Sequence, residues 1–148
     1  MVLVESKKYL IDTNILIYAV NKDSQYHTKA KKLLTDISNR PFKACLSTQN
    51  ILEFKRILTH ETFKKLIKIE DVNKIIEIWL GFLDVIYEDS TAWLEYKKIE
   101  KYINPMGNQI FDAWLSATAI ANGVDIILTA DTKDFQNIKG LTAINPLI

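Results

Sequence analysis

Lys8-Tyr9-Leu10-Ile11-Asp12-Thr13-Asn14-Ile15-Leu16-Ile17-Tyr18-Ala19 is the stretch on which the fold turns. A first apolar run stops at a carboxylate, and a second resumes with helical spacing. The pattern predicts a short buried strand whose C-terminal end presents Asp12 at the mouth of a helix. In open α/β sheets ligands sit in the crevice beyond the carboxyl ends of the strands. On this stretch alone, Asp12 is equally well explained as a functional carboxylate or as a helix cap.

Outward from there, helical spacing predicts a helix over residues 14–20, capped by Asp12 or Thr13, and another over 26–38 carrying Ala30, Leu33, Leu34 and Ile37. Asn39-Arg40-Pro41 stops the second one. Residues 42–46 read as a strand, and Ser47 or Thr48 caps a helix with Ile51, Leu52, Phe54, Ile57 and Leu58 as its apolar stripe. A short helix over 61–69, a longer one over 70–82, a strand over 83–87 and a helix over 90–102 follow. Beyond the loop at Asn104-Pro105-Met106-Gly107-Asn108, a small-residue helix spans 109–121, with Asn108 as its cap and Gly123 at its stop. Residues 124–128 are an apolar, β-branched run that predicts a strand, and 141–144 supply a last one. Strands alternating with helices imply an α/β architecture with a mostly parallel sheet of four to five strands, covered on both faces.

The chain has 148 residues, 48% of them hydrophobic, which suits one domain over residues 1–148 with a proper core. No stretch approaches the roughly 18 uninterrupted apolar residues of a membrane span. Glu5, Lys7 and Lys8 interrupt any signal-peptide core, so a cytoplasmic location is expected. The single cysteine, Cys45, has no disulfide partner and reads as a small core residue. A formal charge of +1 leaves nucleic-acid affinity to local clusters such as Lys64, Lys65 and Lys68, and lysines on amphipathic helices are commonly a solvated face. His27 and His60 show no metal-ligand spacing and read as surface residues.

Four acids resist a solvated-charge explanation. Asp12 ends the first strand, and Asp131 follows the Ile126-Ile127-Leu128 run. Glu53 sits among apolar residues near a helix start, and Asp112 lies in the first turn of the small-residue helix. Each has a structural alternative: Asp12 and Asp131 as caps, Asp112 as a dipole partner, Glu53 as an ion-pair partner of Lys55 or Arg56. A parallel sheet would bring all four to one edge. There they would repel each other and resist desolvation unless a cation neutralised them. Oxygen donors without a His or Cys set point to Mg²⁺ or Mn²⁺, and such ions serve phosphodiester cleavage. Nucleotide-triphosphatase and covalent-hydrolase classes are excluded by the lack of a P-loop, a GxSxG motif or a Cys/His pair.

Four segments together resemble the PIN domain, and within it the small ribonucleases typified by VapC toxins of toxin–antitoxin pairs. They are Leu10–Ile17, Ser47–Phe54, Phe111–Ala119 and Ile127–Phe135, and the likeness covers nearly the whole chain. The resemblance implies a three-layer α/β/α PIN-like domain and a metal-dependent endoribonuclease with Asp12, Glu53, Asp112 and Asp131 as its acidic quartet. Asp12 and Asp112 would be direct metal ligands, with Glu53 and Asp131 completing the pocket, directly or through metal-bound waters. Asp134 is a rival to Asp131, and Asn14 and Thr129 are supporting polar residues. Water would attack phosphorus in line, leaving a 5′-phosphate and a 3′-hydroxyl. The resemblance further implies an RNA substrate, a homodimer and an antitoxin peptide seated on the helical segment 59–87. Candidates for that apolar surface are Phe63, Leu66, Ile67, Ile76, Trp79 and Phe82, although ordinary core accounts for most of them. Two other readings are a stand-alone PIN nuclease in RNA processing and a catalytically silent RNA-binding or interaction module. The intact set of acids argues against the last.

Overall fold

A computed structural model describes residues Met1–Ile148. Strand β1 (Lys8–Ile11) runs into helix α1 (Thr13–Val20), with Asp12 between them as the helix cap. Helix α2 (His27–Asn39) buries Ala30, Leu33, Leu34 and Ile37, the i, i+3, i+4, i+7 face, and stops at Arg40 before Pro41. Strand β2 (Lys43–Ser47) leads into α3 (Thr48–Thr59) through a capping box between Ser47 and Asn50. Helix α4 (Ile69–Leu80) carries Glu70 and Asp71 in its first turn, where the helix dipole favours them. Strand β3 (Asp84–Ile86) precedes α5 (Ser90–Ile103), capped by Asp89. Helix α6 (Gln109–Ala121) gives way to β4 (Ile126–Leu128) through Gly123, whose φ of 73° suits a residue without Cβ. A 3₁₀ turn at Thr132–Phe135 and strand β5 (Thr142–Ile144) complete the chain.

All strand pairings are parallel, in the order β3-β2-β1-β4-β5. Central β1 sits between β2 and β4, with Leu10 opposite Cys45 on one side and Ile127 on the other. Because strand side chains alternate, Tyr9 and Ile11 enter the core shared with α1–α4, while Leu10, Cys45 and Ile127 enter the core shared with α5 and α6. The result is a three-layer α/β/α domain. Successive strands step outward from β1 to β3, and the chain then returns to β1's other side as β4. That reversal opens a crevice at the C-terminal ends of β1 and β4.

Several local expectations are corrected. Residues 61–68 form turns and irregular chain rather than a helix, because the backbone bonds back to the end of α3: Phe63 N–H to His60 C=O and Ile67 N–H to Leu58 C=O; Ile69 already belongs to α4. Leu52 is 64% exposed instead of joining the α3 stripe, which buries Asn50, Phe54 and Leu58. Asn108 caps α6 without a side-chain bond; the neighbouring Gln109 Oε1 accepts from Met106 N–H at 3.0 Å instead. His27 is half-buried, its Nδ1 lying 2.9 Å from the Tyr18 carbonyl. Cys45 is buried, with Sγ 3.3 Å from the Tyr9 carbonyl oxygen. Of the six candidates for an apolar surface in the middle of the chain, Ile76 and Trp79 are buried core, Phe63, Ile67 and Phe82 pack against that core, and Leu66 is exposed.

Candidate active site

The crevice holds Asp12 first. Its backbone N–H donates to the Leu128 carbonyl at 3.0 Å, tying the end of β1 to the end of β4. Both carboxylate oxygens are held. Oδ1 accepts from Thr13 N–H at 2.8 Å, and Oδ2 accepts from the Thr129 hydroxyl at 2.8 Å. Asn50 Nδ2 lies 3.4 Å from Oδ1. The cap and the cleft carboxylate are thus the same residue, so the two readings of Asp12 do not compete.

Thr129 is fully buried and joins two acids. Its hydroxyl oxygen accepts from Asp131 N–H at 3.0 Å and from Asn14 Nδ2 at 3.2 Å. Asn14 Nδ2 also reaches Asp131 Oδ2 at 3.2 Å, and its Oδ1 accepts from Ala130 N–H at 3.2 Å. On the other side, the buried Thr13 hydroxyl donates to Glu53 Oε2 at 2.9 Å and accepts from Asn50 Nδ2 at 3.1 Å. Gln49 Nε2 contacts Glu53 Oε1 at 3.3 Å. Glu53 therefore takes hydroxyl and amide partners, and the alternative pairing with Lys55 or Arg56 does not form.

Asp112 projects from the first turn of α6. Asp12, Glu53, Asp112, Asp131 and Asp134 all line one cleft of about 350 Å³, walled also by Asn14, Ile17, Tyr18 and Ile57. Asp131 and Asp134 both reach it, so the rivals are neighbours. None of the five acids forms an ion pair. Burial pushes the Asp12 carboxyl up to about 6, against the lowering pull of Thr129 and Thr13, while Glu53 and Asp131 add repulsion. Burial also pushes Asp112 up to about 6, helped by the charges of Asp134, Asp12, Glu53 and Asp131. Tyr18 is raised by burial and by the charge of Asp131.

No three of these acids stand as a ready-made ligand cage. The donors are nonetheless all oxygen, without a basic partner and lining one cleft, which fits a hard divalent cation. Sequence reading missed Thr13 as a bridge to Glu53 and missed Asn50 and Gln49 altogether. The Ser47-x-x-Asn50 spacing is a capping signal that could have marked Asn50 as buried.

Known proteins share this chain's family and fold. The PIN domain family model matches residues 9–141. Ribonuclease VapC48 of Mycobacterium tuberculosis is 24% identical over 140 residues, covering 91% of this chain and 94% of the relative. Among solved structures, DNA-bound VapBC from Salmonella typhimurium superposes with a TM-score of 0.66 at 19% identity, over 95% of this chain and 98% of that one. VapC20 of M. tuberculosis, a sarcin–ricin loop cleaving toxin, gives 0.63 at 14% identity over 86% and 92%. At these identities the structures share the fold.

Proposed function

Because the chain belongs to the PIN-domain family, we propose that it is a metal-dependent endoribonuclease and the toxin of a toxin–antitoxin pair. The observation that carries this reading is the cleft of five acids with no basic partner, set at the switch point of a parallel sheet. Its most similar relatives include a named ribonuclease and a VapBC complex.

Asp12 and Asp112 are the residues that would hold Mg²⁺ or Mn²⁺. Glu53 completes the site from α3, Asp131 from beside Asp12, and Asp134 from the side of Asp112. A bound divalent ion supplies the charge that polarises the phosphoryl group and eases deprotonation of water. The protein's own contribution is orientation. Thr13 and Thr129 hold Asp12 by both oxygens, so its carboxylate enters the reaction already aimed. Thr13 likewise fixes Glu53 Oε2, leaving Oε1 with only the long Gln49 contact and free to accept from water. In-line attack of water on phosphorus breaks the P–O3′ bond, leaving a 5′-phosphate and a 3′-hydroxyl.

The antitoxin would seat on an apolar groove of about 290 Å³ between α1, α2 and α4, lined by Ala19, Val20, Leu34, Ile75, Ile78 and Phe82 among others. Exposed Tyr87, Trp93 and Leu94 offer apolar surface for a homodimer. No helix is long and apolar enough to cross a membrane. The reading puts the protein in the cytoplasm with its RNA.

The test is cleavage of RNA with Mg²⁺ or Mn²⁺ by wild type, Asp12→Asn and Asp112→Asn. Cleavage is expected in the wild type and lost in both variants with the fold retained. Cleavage that survives both substitutions, or persists in excess EDTA, sinks the mechanism.

A further inference from the structure

A second groove, of about 670 Å³, opens beside the acidic cleft and shares Glu53 and Asp112 with it. Its wall is different in kind: Thr48, Gln49, Arg56, Glu88, Phe111 and Trp114. Phe111 is 60% exposed although it directly precedes Asp112, and its ring has no aromatic partner. Arg56 forms no ion pair, despite Glu53 three residues before it on the same helix. Gln49 holds its place with two long contacts, to Glu53 Oε1 at 3.3 Å and to the Phe111 carbonyl at 3.4 Å. Its own Oε1 is buried with no partner, an unsatisfied acceptor on the groove wall. Glu88 accepts from the Thr48 hydroxyl and has further acceptor capacity.

A free aromatic face, an unpaired guanidinium and a carboxylate with acceptor capacity to spare are what an unstacked nucleotide needs: a surface for the base, a cation for its phosphate and a partner for its N–H edge. We infer that this groove is the subsite for an unpaired RNA base adjoining the cleaved phosphate, with Phe111 stacking on the base and Arg56 contacting the neighbouring phosphate; the inference rests on the ribonuclease reading.

The experiment measures cleavage of a short unstructured RNA by wild type, Phe111→Ala, Phe111→Trp and Arg56→Ala. In parallel, binding of the same RNA is followed in the uncleaving Asp12→Asn background by fluorescence anisotropy and by quenching of tryptophan emission. Phe111→Ala should raise KM and weaken binding about 10-fold, the loss of one base–aromatic stack, and Phe111→Trp should restore both. Arg56→Ala should weaken binding of all sequences alike and lower the salt slope by about 1, which Phe111→Ala leaves in place. If wild type cleaves and both alanine variants keep its KM and affinity, the subsite is overturned while the nuclease reading stands. If wild type cleaves no RNA with either ion, the nuclease reading falls and takes the subsite with it. If Phe111→Ala instead turns a dimer into a monomer with KM per site unchanged, the face belongs to a second copy and the inference is wrong.

Discussion

The Thr129 hydroxyl donates to Asp12 Oδ2 over 2.8 Å, joining residues 117 positions apart in the chain. That one bond fastens the loop after β4 to the end of β1. Because the same oxygen accepts from Asp131 N–H and Asn14 Nδ2, it sets the spacing of two acids at once.

Thr129→Val keeps the shape and deletes the hydroxyl. Burying Asp12 Oδ2 and Asp131 N–H without that partner should lower stability by about 1–3 kcal/mol. The Asp12 carboxyl should rise further, since Thr129 is the largest influence lowering it. Urea unfolding and the Mg²⁺ concentration giving half-maximal activity would check this, with Thr129→Ser close to wild type. A valine variant with wild-type stability and ion requirement would refute the role.

Without divalent ions, stability should fall as pH rises. Asp12 stands at about 6 in the folded protein against 3.8 for a free carboxyl, so between those values the native state binds more protons than the unfolded one. The favourable balance is complete below about pH 4 and is lost as pH climbs through about 6. For Asp12 the loss is up to about 3 kcal/mol. Asp112 changes in the same direction by less, being more open to screening water. Unfolding midpoints in EDTA at several pH values should decline across this window, and Asp12→Asn or saturating Mg²⁺ should flatten the decline. An equal slope in Asp12→Asn would show that the site is not the source.

Phe54 is fully buried beside Glu53, its ring 5.0 Å from that of Trp79 at 57°. It fixes α3 against α4, and hence the angle from which Glu53 enters the cleft. Phe54→Ala should destabilise by about 3–5 kcal/mol and shift tryptophan emission to the red. A loss under about 1 kcal/mol would mean the site collapses around the gap.

Ile78 is 70% exposed on α4, at the groove proposed for the antitoxin. Ile78→Asp should weaken antitoxin binding about 10-fold or more, since burying an unpaired carboxylate opposes apolar docking. Its thermal stability and RNA cleavage without antitoxin should match wild type. Calorimetric titration decides, and unchanged affinity would move the partner to another face.

Local pattern was legible wherever it was strong. The interval from β1 through Asp12 into α1 follows from an apolar run, a carboxylate and a resumed helical spacing. Helix α6 keeps the expected bounds of 109–121 because its small residues and Gly123 mark both its body and its stop. Residues 61–68 depart from the expected helix because their composition permits one, while their backbone bonds go to the end of α3. Leu52 fits the stripe by spacing, yet it faces the groove beside Asp112 where no element covers it.

By itself, then, the sequence determined the elements outside residues 61–68, the parallel α/β class and the four segments that carry the acids, because helical and strand periodicities are local and written residue by residue. Tertiary structure alone decided that β1 lies between β2 and β4, so that Asp12 meets Thr129 and Glu53 meets Thr13. It also decided that Asp131 and Asp134 both reach the cleft, and that Asp12 is at once cap and cleft carboxylate. Strand order and the hydroxyls that bridge it are long-range matters of packing, and no spacing within a single segment encodes them.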